Sequence, residues 1–171
     1  MLSITSTSKL LRRAYYNFSA SSYLTSCYKQ MLQRDDASLD KLIATTQLHP
    51  LMSNAKWVKL IAALVEHWQL IRQCRVKLIW EDASTERHLI IDEHTSYNFD
   101  YYATAVEAMI TGRPRGWYAY KEIEWLEFPR FPSGESEAQN LKAIQQRIEA
   151  IGQFQLVLAK DKLRLYAYLR P

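Results

Sequence analysis

The sequence predicts an α+β domain: a mostly antiparallel sheet with helices packed on one face, preceded by a basic helical N-terminal segment. Two stretches place apolar residues at helical spacing, and several short stretches alternate with period two. Two pairs of alternating stretches are separated by short polar turns, which is typical of antiparallel hairpins. With 171 residues, 48% of them hydrophobic, the chain is long enough to bury one sizeable core.

The first 34 residues differ in charge from the rest. They contain no acidic side chain, whereas the remaining 137 residues are close to neutral, so the whole formal charge of +4 comes from this segment. Apolar residues near helical spacing between Leu10 and Phe18 predict a basic amphipathic helix, and the Ser-rich, acid-free composition is also typical of a mitochondrial transit peptide. Pro50 then predicts a division into a basic, helical N-terminal segment, residues 1–50, and a single α+β domain, residues 51–171.

The first half of the domain begins with helices and continues as strands. A short helix over Leu39–Leu48 is stopped by Pro50, and a longer one follows Ser53 or Asn54 as its N-cap. Its apolar stripe has helical spacing: Trp57, Leu60, Ile61, Leu64 and Trp68. The period then changes to two, which predicts a hairpin with strands around Val76–Trp80 and Leu89–Ile91. Tyr101–Thr111 is free of Gly and Pro and stops at Gly112, which predicts a helix.

The second half is predicted to add strands, one helix and a closing hairpin. Trp117–Tyr120 and Ile123–Phe128 are rich in strand-forming residues. A helix is expected from Ser136, with Gln139 completing a capping box, and it should end at Gly152. Alternation resumes at Phe154 and predicts two antiparallel strands that turn at Lys160–Asp161.

Three segments resemble an uncharacterised family of short bacterial proteins. They are Leu51–Trp57 with an Asn-x-Lys-Trp helix start, Lys121–Phe128 with an Ile-Glu-Trp strand, and Leu163–Tyr168 with a closing Tyr-x-Tyr strand. The resemblance covers about residues 50–171, and this sequence departs from it by a longer middle, 81–112. It implies a small bacterial α+β protein, supplies no catalytic residues, and argues against a mitochondrial transit peptide.

Catalytic and cofactor signatures are not found in the sequence. There is no G-x-S-x-G, and four Gly residues form neither G-x-G-x-x-G nor a phosphate-binding loop. We therefore expect no enzyme activity, no cofactor and no metal. A metal-assisted hydrolase using His88, Asp92 and His94 stays as a weaker alternative, as does an acid/base pair of Glu122 and Glu124, which should point the same way on one strand.

The cysteines and the longest apolar run predict where the protein is located. The two cysteines form no paired motif, which is typical of a reducing compartment and predicts a cytoplasmic protein. The longest strongly apolar run, Leu60–Val65, is far short of a membrane span.

A second function class is a nucleic-acid-associated protein that uses the basic N-terminal segment, and its binding should weaken sharply with salt.

Aromatic density between Tyr97 and Trp125 predicts a protein-binding surface, with burial in the core as the alternative. Tyr and Trp give large contact areas with few rotatable bonds, and nearby carboxylates could face a basic active site. The sequence therefore predicts a non-enzymatic immunity or antitoxin-like protein that neutralises a bacterial toxin by covering it. The candidate partner-binding residues are Tyr97, Phe99, Tyr101, Tyr102, Trp117, Tyr118, Tyr120, Glu122, Glu124 and Glu127.

Overall fold

The computed structural model describes residues 37–81, 87–98, 103–108 and 116–171, together with the backbone alone at Phe99 and Tyr102. Contacts divide the chain between Ser38 and Leu39, and nearly all described residues belong to the second unit, Leu39–Pro171. This division assigns residues 39–50 to the second unit, whereas the sequence interpretation placed the boundary at residue 50. The predicted basic helix before residue 37 lies outside the described residues.

A five-stranded antiparallel sheet is the centre of the second unit, and its strands lie in the order β3-β2-β7-β9-β8. Their alternating sequences explain why they form a sheet with two different faces. The strands are β2 (Cys74–Leu78), β3 (Arg87–Leu89), β7 (Ile123–Pro129), β8 (Gln155–Leu158) and β9 (Lys162–Tyr166).

Two smaller antiparallel sheets accompany the large one. One has three strands in the order β4-β5-β6, and the other pairs β1 with β10. The strands are β1 (His49–Pro50), β4 (Tyr97–Phe99), β5 (Tyr102–Glu107), β6 (Trp117–Ala119) and β10 (Tyr168–Leu169).

Three α-helices are described: α1 (residues 37–45), α2 (Asn54–Glu66) and α3 (Leu141–Ile151). The Ser53 side chain caps α2 by accepting a hydrogen bond from the Lys56 amide at 3.3 Å, as predicted. Helix α3 ends at Ile151, and its C-cap Gly152 has a φ of 153°, which L side chains rarely adopt. Single-turn 3₁₀ helices follow α2 at Trp68–Leu70 and precede β7 at Tyr120–Glu122.

The core lies between the helices and one face of the large sheet. Buried residues of α2 and α3 belong to the same apolar cluster as the inward residues of β2, β7 and β9. Trp57 of α2 stacks on Tyr120 with ring centroids 5.5 Å apart and planes 7° apart, which ties the helix to the turn before β7. The predicted α+β class, with an antiparallel sheet and helices on one face, is therefore confirmed.

The predicted helix over Tyr101–Thr111 is wrong, because the described residues 102–107 form strand β5. Strand β5 pairs on both sides, with Tyr97 opposite Val106 in β4 and Ala105 opposite Ala119 in β6. Tyr, Thr and Val residues in this stretch fit a pleated strand, and the two partner strands satisfy its backbone.

The predicted start of α3 at Ser136 is also wrong. Asn140 is the N-cap, and its side chain accepts a hydrogen bond from the Ala143 amide at 3.1 Å. Gln139 does not complete a capping box, because its buried amide accepts from the Arg72 amide at 3.2 Å and donates to the Gln73 carbonyl at 3.1 Å. The same amide donates to the Pro129 carbonyl, so the side chain joins the residues just before β2 to the end of β7 instead of capping a helix.

Candidate binding face

The side of the large sheet that faces away from the core is lined by charged and aromatic side chains. Alternation fixes this placement: residues opposite one another across three strands lie on one face. In one row Glu127 lies between Arg75 and Arg164, and in the next Trp125 lies between Lys77 and Tyr166. We call this surface the cationic face, and it consists of Arg75, Lys77, Glu124, Trp125, Glu127, Lys162, Arg164, Tyr166 and Arg170.

Glu124 reaches this face through an irregularity in the ladder between β2 and β7. Lys77 is opposite Trp125 but Leu78 is opposite Ile123, so Glu124 is an extra residue without a partner in the register. Such a β-bulge turns a side chain that strict alternation would direct to the other face. The Glu124 carboxylate accordingly meets the Lys77 ammonium at 2.5 Å, on the face that Lys77 shares with Trp125.

Arg170 supplies the second cation for Glu124. Its guanidinium donates from Nε to one carboxylate oxygen at 2.7 Å and from Nη2 to the other at 2.8 Å. Burial raises the pKa of Glu124, but the hydrogen bonds from Arg170 and Lys77 outweigh burial and leave the pKa below its ordinary value of 4.5. The carboxylate is therefore ionised at neutral pH although its side chain is buried.

Glu127 is the centre of a second cluster. Arg164 donates to its Oε2 from Nε at 2.9 Å and from Nη2 at 2.5 Å, while Lys162 and Arg75 lie 3.4 Å and 3.7 Å from the carboxylate. The Glu127 side chain is buried beneath cations that are each partly exposed to solvent. A carboxylate that accepts several charge-assisted hydrogen bonds holds those cations in fixed positions.

The Arg164 guanidinium also orders the two aromatic residues of this face. It lies 4.3 Å from the centroid of the Trp125 ring and 5.7 Å from that of Tyr166, within cation–π range. Its Nη1 also donates to the Tyr166 hydroxyl at 3.4 Å. Both rings are only partly buried. One side chain therefore fixes a carboxylate and two partly exposed rings in a single arrangement.

The net charge of the cationic face is positive. Five cations surround two carboxylates, and each carboxylate has at least two cationic partners. The face therefore carries an excess of three positive charges at neutral pH, although the sequence after residue 34 is close to neutral. The acidic residues that balance this excess lie elsewhere in the chain.

Three carboxylates that the sequence nominated for partner binding are buried. Glu124 and Glu127 lie on the cationic face and are neutralised within the chain. Glu122 accepts a hydrogen bond from the Ala119 amide at 2.9 Å and another from the Trp80 indole at 3.2 Å. The predicted pairing of Glu122 with Glu124 on one strand is wrong, because Glu122 belongs to a 3₁₀ turn and Glu124 to the bulge.

The nominated aromatic residues are distributed over several environments. Tyr118 and Tyr120 are almost fully buried, so the core alternative describes both of them. Tyr97 and Trp117 are partly buried at the ends of β4 and β6, and an interface role for them stays a prediction. The backbone of Phe99 belongs to β4 and the backbone of Tyr102 belongs to β5, and only these backbones are described. Tyr101 lies outside the described residues.

The residues considered for a metal site are not assembled into one in the described part of the chain. His88, Asp92 and His94 form no metal-binding group, nor do any three His, Cys, Asp or Glu residues in the described part of the chain. Asp92 instead accepts from the His94 amide at 2.8 Å within a turn. Burial raises the pKa of the Cys74 thiol, which keeps it protonated and apolar in character.

Sequence reasoning missed the basic residues of the cationic face. The alternation of Arg75 and Lys77 in β2, and of Lys162, Arg164 and Tyr166 in β9, was visible in the sequence. The missing information was that β7 separates these two strands and places both sets around its carboxylates.

Comparison with protein-family models, curated proteins and solved structures found no match. None of the helices within the described ranges has the length and apolar character that crossing a bilayer requires.

Proposed function

We propose that the chain is a non-enzymatic protein-binding domain, of the immunity or antitoxin type, that covers its partner with the cationic face. The observation that supports this most is Arg164 held between Trp125 and Tyr166 by Glu127. Trp, Tyr and Arg are the residues that most often dominate binding energy at protein interfaces. Side chains already fixed before binding also lose less conformational entropy when the partner arrives.

The partner surface is proposed to be acidic. The excess of three positive charges would accelerate association with such a surface and would fix its orientation. This reverses the charge expected from the sequence, in which Glu122, Glu124 and Glu127 were assigned to a basic toxin site. Glu124 and Glu127 are compensated by cations of their own chain, and Glu122 is buried, so these carboxylates have little charge to offer a partner.

A nucleic acid is the other polyanion that fits a cationic sheet face with aromatic side chains. Binding of a single strand relies on bases stacking on open aromatic rings. The Arg164 guanidinium already covers one side of the Trp125 ring at 4.3 Å, which reduces the area available for stacking. The geometry therefore favours a protein partner, for which Arg and Trp edges are sufficient anchors.

The experiment is affinity capture from nuclease-treated lysate of the source cells, using the tagged full chain. We compare the wild type with Lys162→Ala/Tyr166→Ala, which removes one charge and one ring from the cationic face. The matched control is Lys142→Ala, an exposed lysine of α3 on the helix side of the molecule. Circular dichroism and thermal unfolding verify that all three proteins are folded.

The expected result is one stoichiometric protein that the wild type and Lys142→Ala retain and that the double variant binds at least about tenfold more weakly. Its binding should weaken as salt rises from about 0.05 M to about 0.5 M, because exposed charges are screened. Equal retention by the double variant would overturn the cationic face as the contact surface. Capture of nucleic acid in untreated lysate, with no stoichiometric protein, would support the nucleic-acid alternative instead.

A further inference from the structure

Strand β8 ends the five-stranded sheet with an apolar, uncharged and exposed edge. Its sequence is Gln155-Leu-Val-Leu158, and Val157 and Leu158 are 46% and 40% exposed. No other described strand lies on its outer side. An exposed apolar edge of this kind is a template for pairing with another strand.

The hydrogen-bond pattern identifies which backbone groups of β8 point outward. The Ala159 amide donates to the Lys162 carbonyl at 2.8 Å, so this pair is hydrogen-bonded to β9. Successive pairs alternate in an antiparallel ladder, so Val157 and Gln155 are also bonded to β9, opposite Arg164 and Tyr166. The amide and carbonyl groups of Leu156 and Leu158 therefore face away from the sheet.

The opposite edge of the same sheet is protected. Strand β3 has only three residues, and two of them are Arg87 and His88. Arg87 forms an ion pair with Glu81, and the His88 side chain is exposed. Short length and charged side chains are the usual means of blocking edge pairing, and β8 lacks the charges.

We propose that β8 pairs with β8 of a second copy of this chain, antiparallel and across a twofold axis. Outward-facing residues must be opposite outward-facing residues, which restricts the register. The register that places Val157 opposite its own copy satisfies this condition and pairs Leu156 with Leu158 in both directions. Leu156, Val157 and Leu158 of each copy then lie opposite an apolar residue of the other copy.

The self-complementary apolar register supports a second copy as the occupant. In this register Lys160 lies opposite Phe154 and Gln155 opposite Ala159, so no like charges are opposed along the paired segment. A twofold axis between antiparallel edge strands is perpendicular to the sheet, and the same face of each copy points the same way. The dimer would therefore present two cationic faces side by side on one continuous sheet.

The first experiment measures the mass of the full chain by sedimentation equilibrium. Each copy has a mass of 20.1 kDa, and the wild type should sediment as two copies. Val157→Lys should shift the protein to a single copy, because two ammonium groups would meet at the axis. The control is Ile90→Lys, which replaces a 52% exposed residue just after β3 and should leave the dimer intact.

The second experiment tests the register by disulfide formation in a Cys27→Ser background. Val157→Cys should form an intermolecular disulfide on mild oxidation, because opposite residues at a non-hydrogen-bonded position bring Cβ atoms to bridging distance. Gln155→Cys is the matched control on the same face and should remain unlinked, since its copy lies opposite Ala159. A wild type that remains a single copy up to about 1 mM, or a dimer that survives Val157→Lys, would overturn the proposal.

Discussion

The two faces of the five-stranded sheet are built by the same strands but are held together by different forces. Toward the helices, residues such as Leu126 and Phe128 are buried among apolar side chains. On the cationic face, Glu127 is buried among charges. Apolar burial contributes roughly 25 cal/mol per Å², whereas desolvation offsets much of the attraction in a buried ion pair. The helix side therefore supplies stability, and the cationic face supplies a fixed arrangement of charge.

The largest effect should come from the helix side. Phe128→Ala removes a fully buried ring and is expected to lower the free energy of unfolding by about 3–5 kcal/mol. Tyr166→Ala removes a partly buried ring from the cationic face and should lower the free energy of unfolding clearly less than Phe128→Ala does. Urea denaturation of both variants and the wild type measures the difference. Equal losses would contradict the assignment of stability to one face.

An intermediate effect is expected at the centre of the cationic face. Glu127→Ala leaves three cations near one another without their shared carboxylate. It should therefore lower the free energy of unfolding by about 2–3 kcal/mol. The three cations are Arg75, Lys162 and Arg164. Lys162→Ala removes one partly exposed cation from the same cluster and should cost less than about 1 kcal/mol. Denaturant midpoints of these two variants compare the effects. A larger loss for Lys162→Ala would show that Glu127 is not the centre of the cluster.

The smallest effect is a pH dependence that arises from Glu124 on the cationic face. Arg170 and Lys77 leave the pKa of Glu124 below its ordinary 4.5 in the folded chain, so the unfolded chain takes up the proton first as pH falls. Its contribution to stability is therefore present above pH 4.5 and is lost as pH falls through the lowered pKa. The free energy of unfolding from pH 7 to pH 3 should decrease less steeply for Glu124→Gln than for the wild type. If the free energy of unfolding decreased equally with pH in both proteins, the assignment of this pH dependence to Glu124 would be contradicted.

Local patterns predicted the elements whose neighbours in the fold are also neighbours in sequence. The stripe of α2, the hairpin of β2 with β3 and the hairpin of β8 with β9 all follow from spacing within one segment. Strand β5 was mistaken for a helix because its evidence as a strand is pairing with β4 and β6, which spacing within the segment does not contain. Local propensity is overridden where tertiary partners satisfy the backbone differently.

The cationic face could be predicted only in part, for the same reason. Its side chains alternate within each strand, but their meeting depends on β7 lying between β2 and β9. Arg170 reaches Glu124 across 46 positions of sequence, and no periodicity connects them. The bulge at Glu124 leaves one local trace, the succession of two outward residues, Glu124 and Trp125, between the inward residues Ile123 and Leu126.

The bulge at Glu124 also has a consequence for comparing this chain with relatives. Without that residue, Ile123, Trp125 and Leu126 would alternate regularly, and every other residue of β7 would keep its face. A relative with a regular strand should therefore align with a gap of a single position here, and the rest of the strand should align without a shift. Lys77 and Arg170 would lose their shared carboxylate in such a relative, so we expect substitutions at those two positions to accompany the gap.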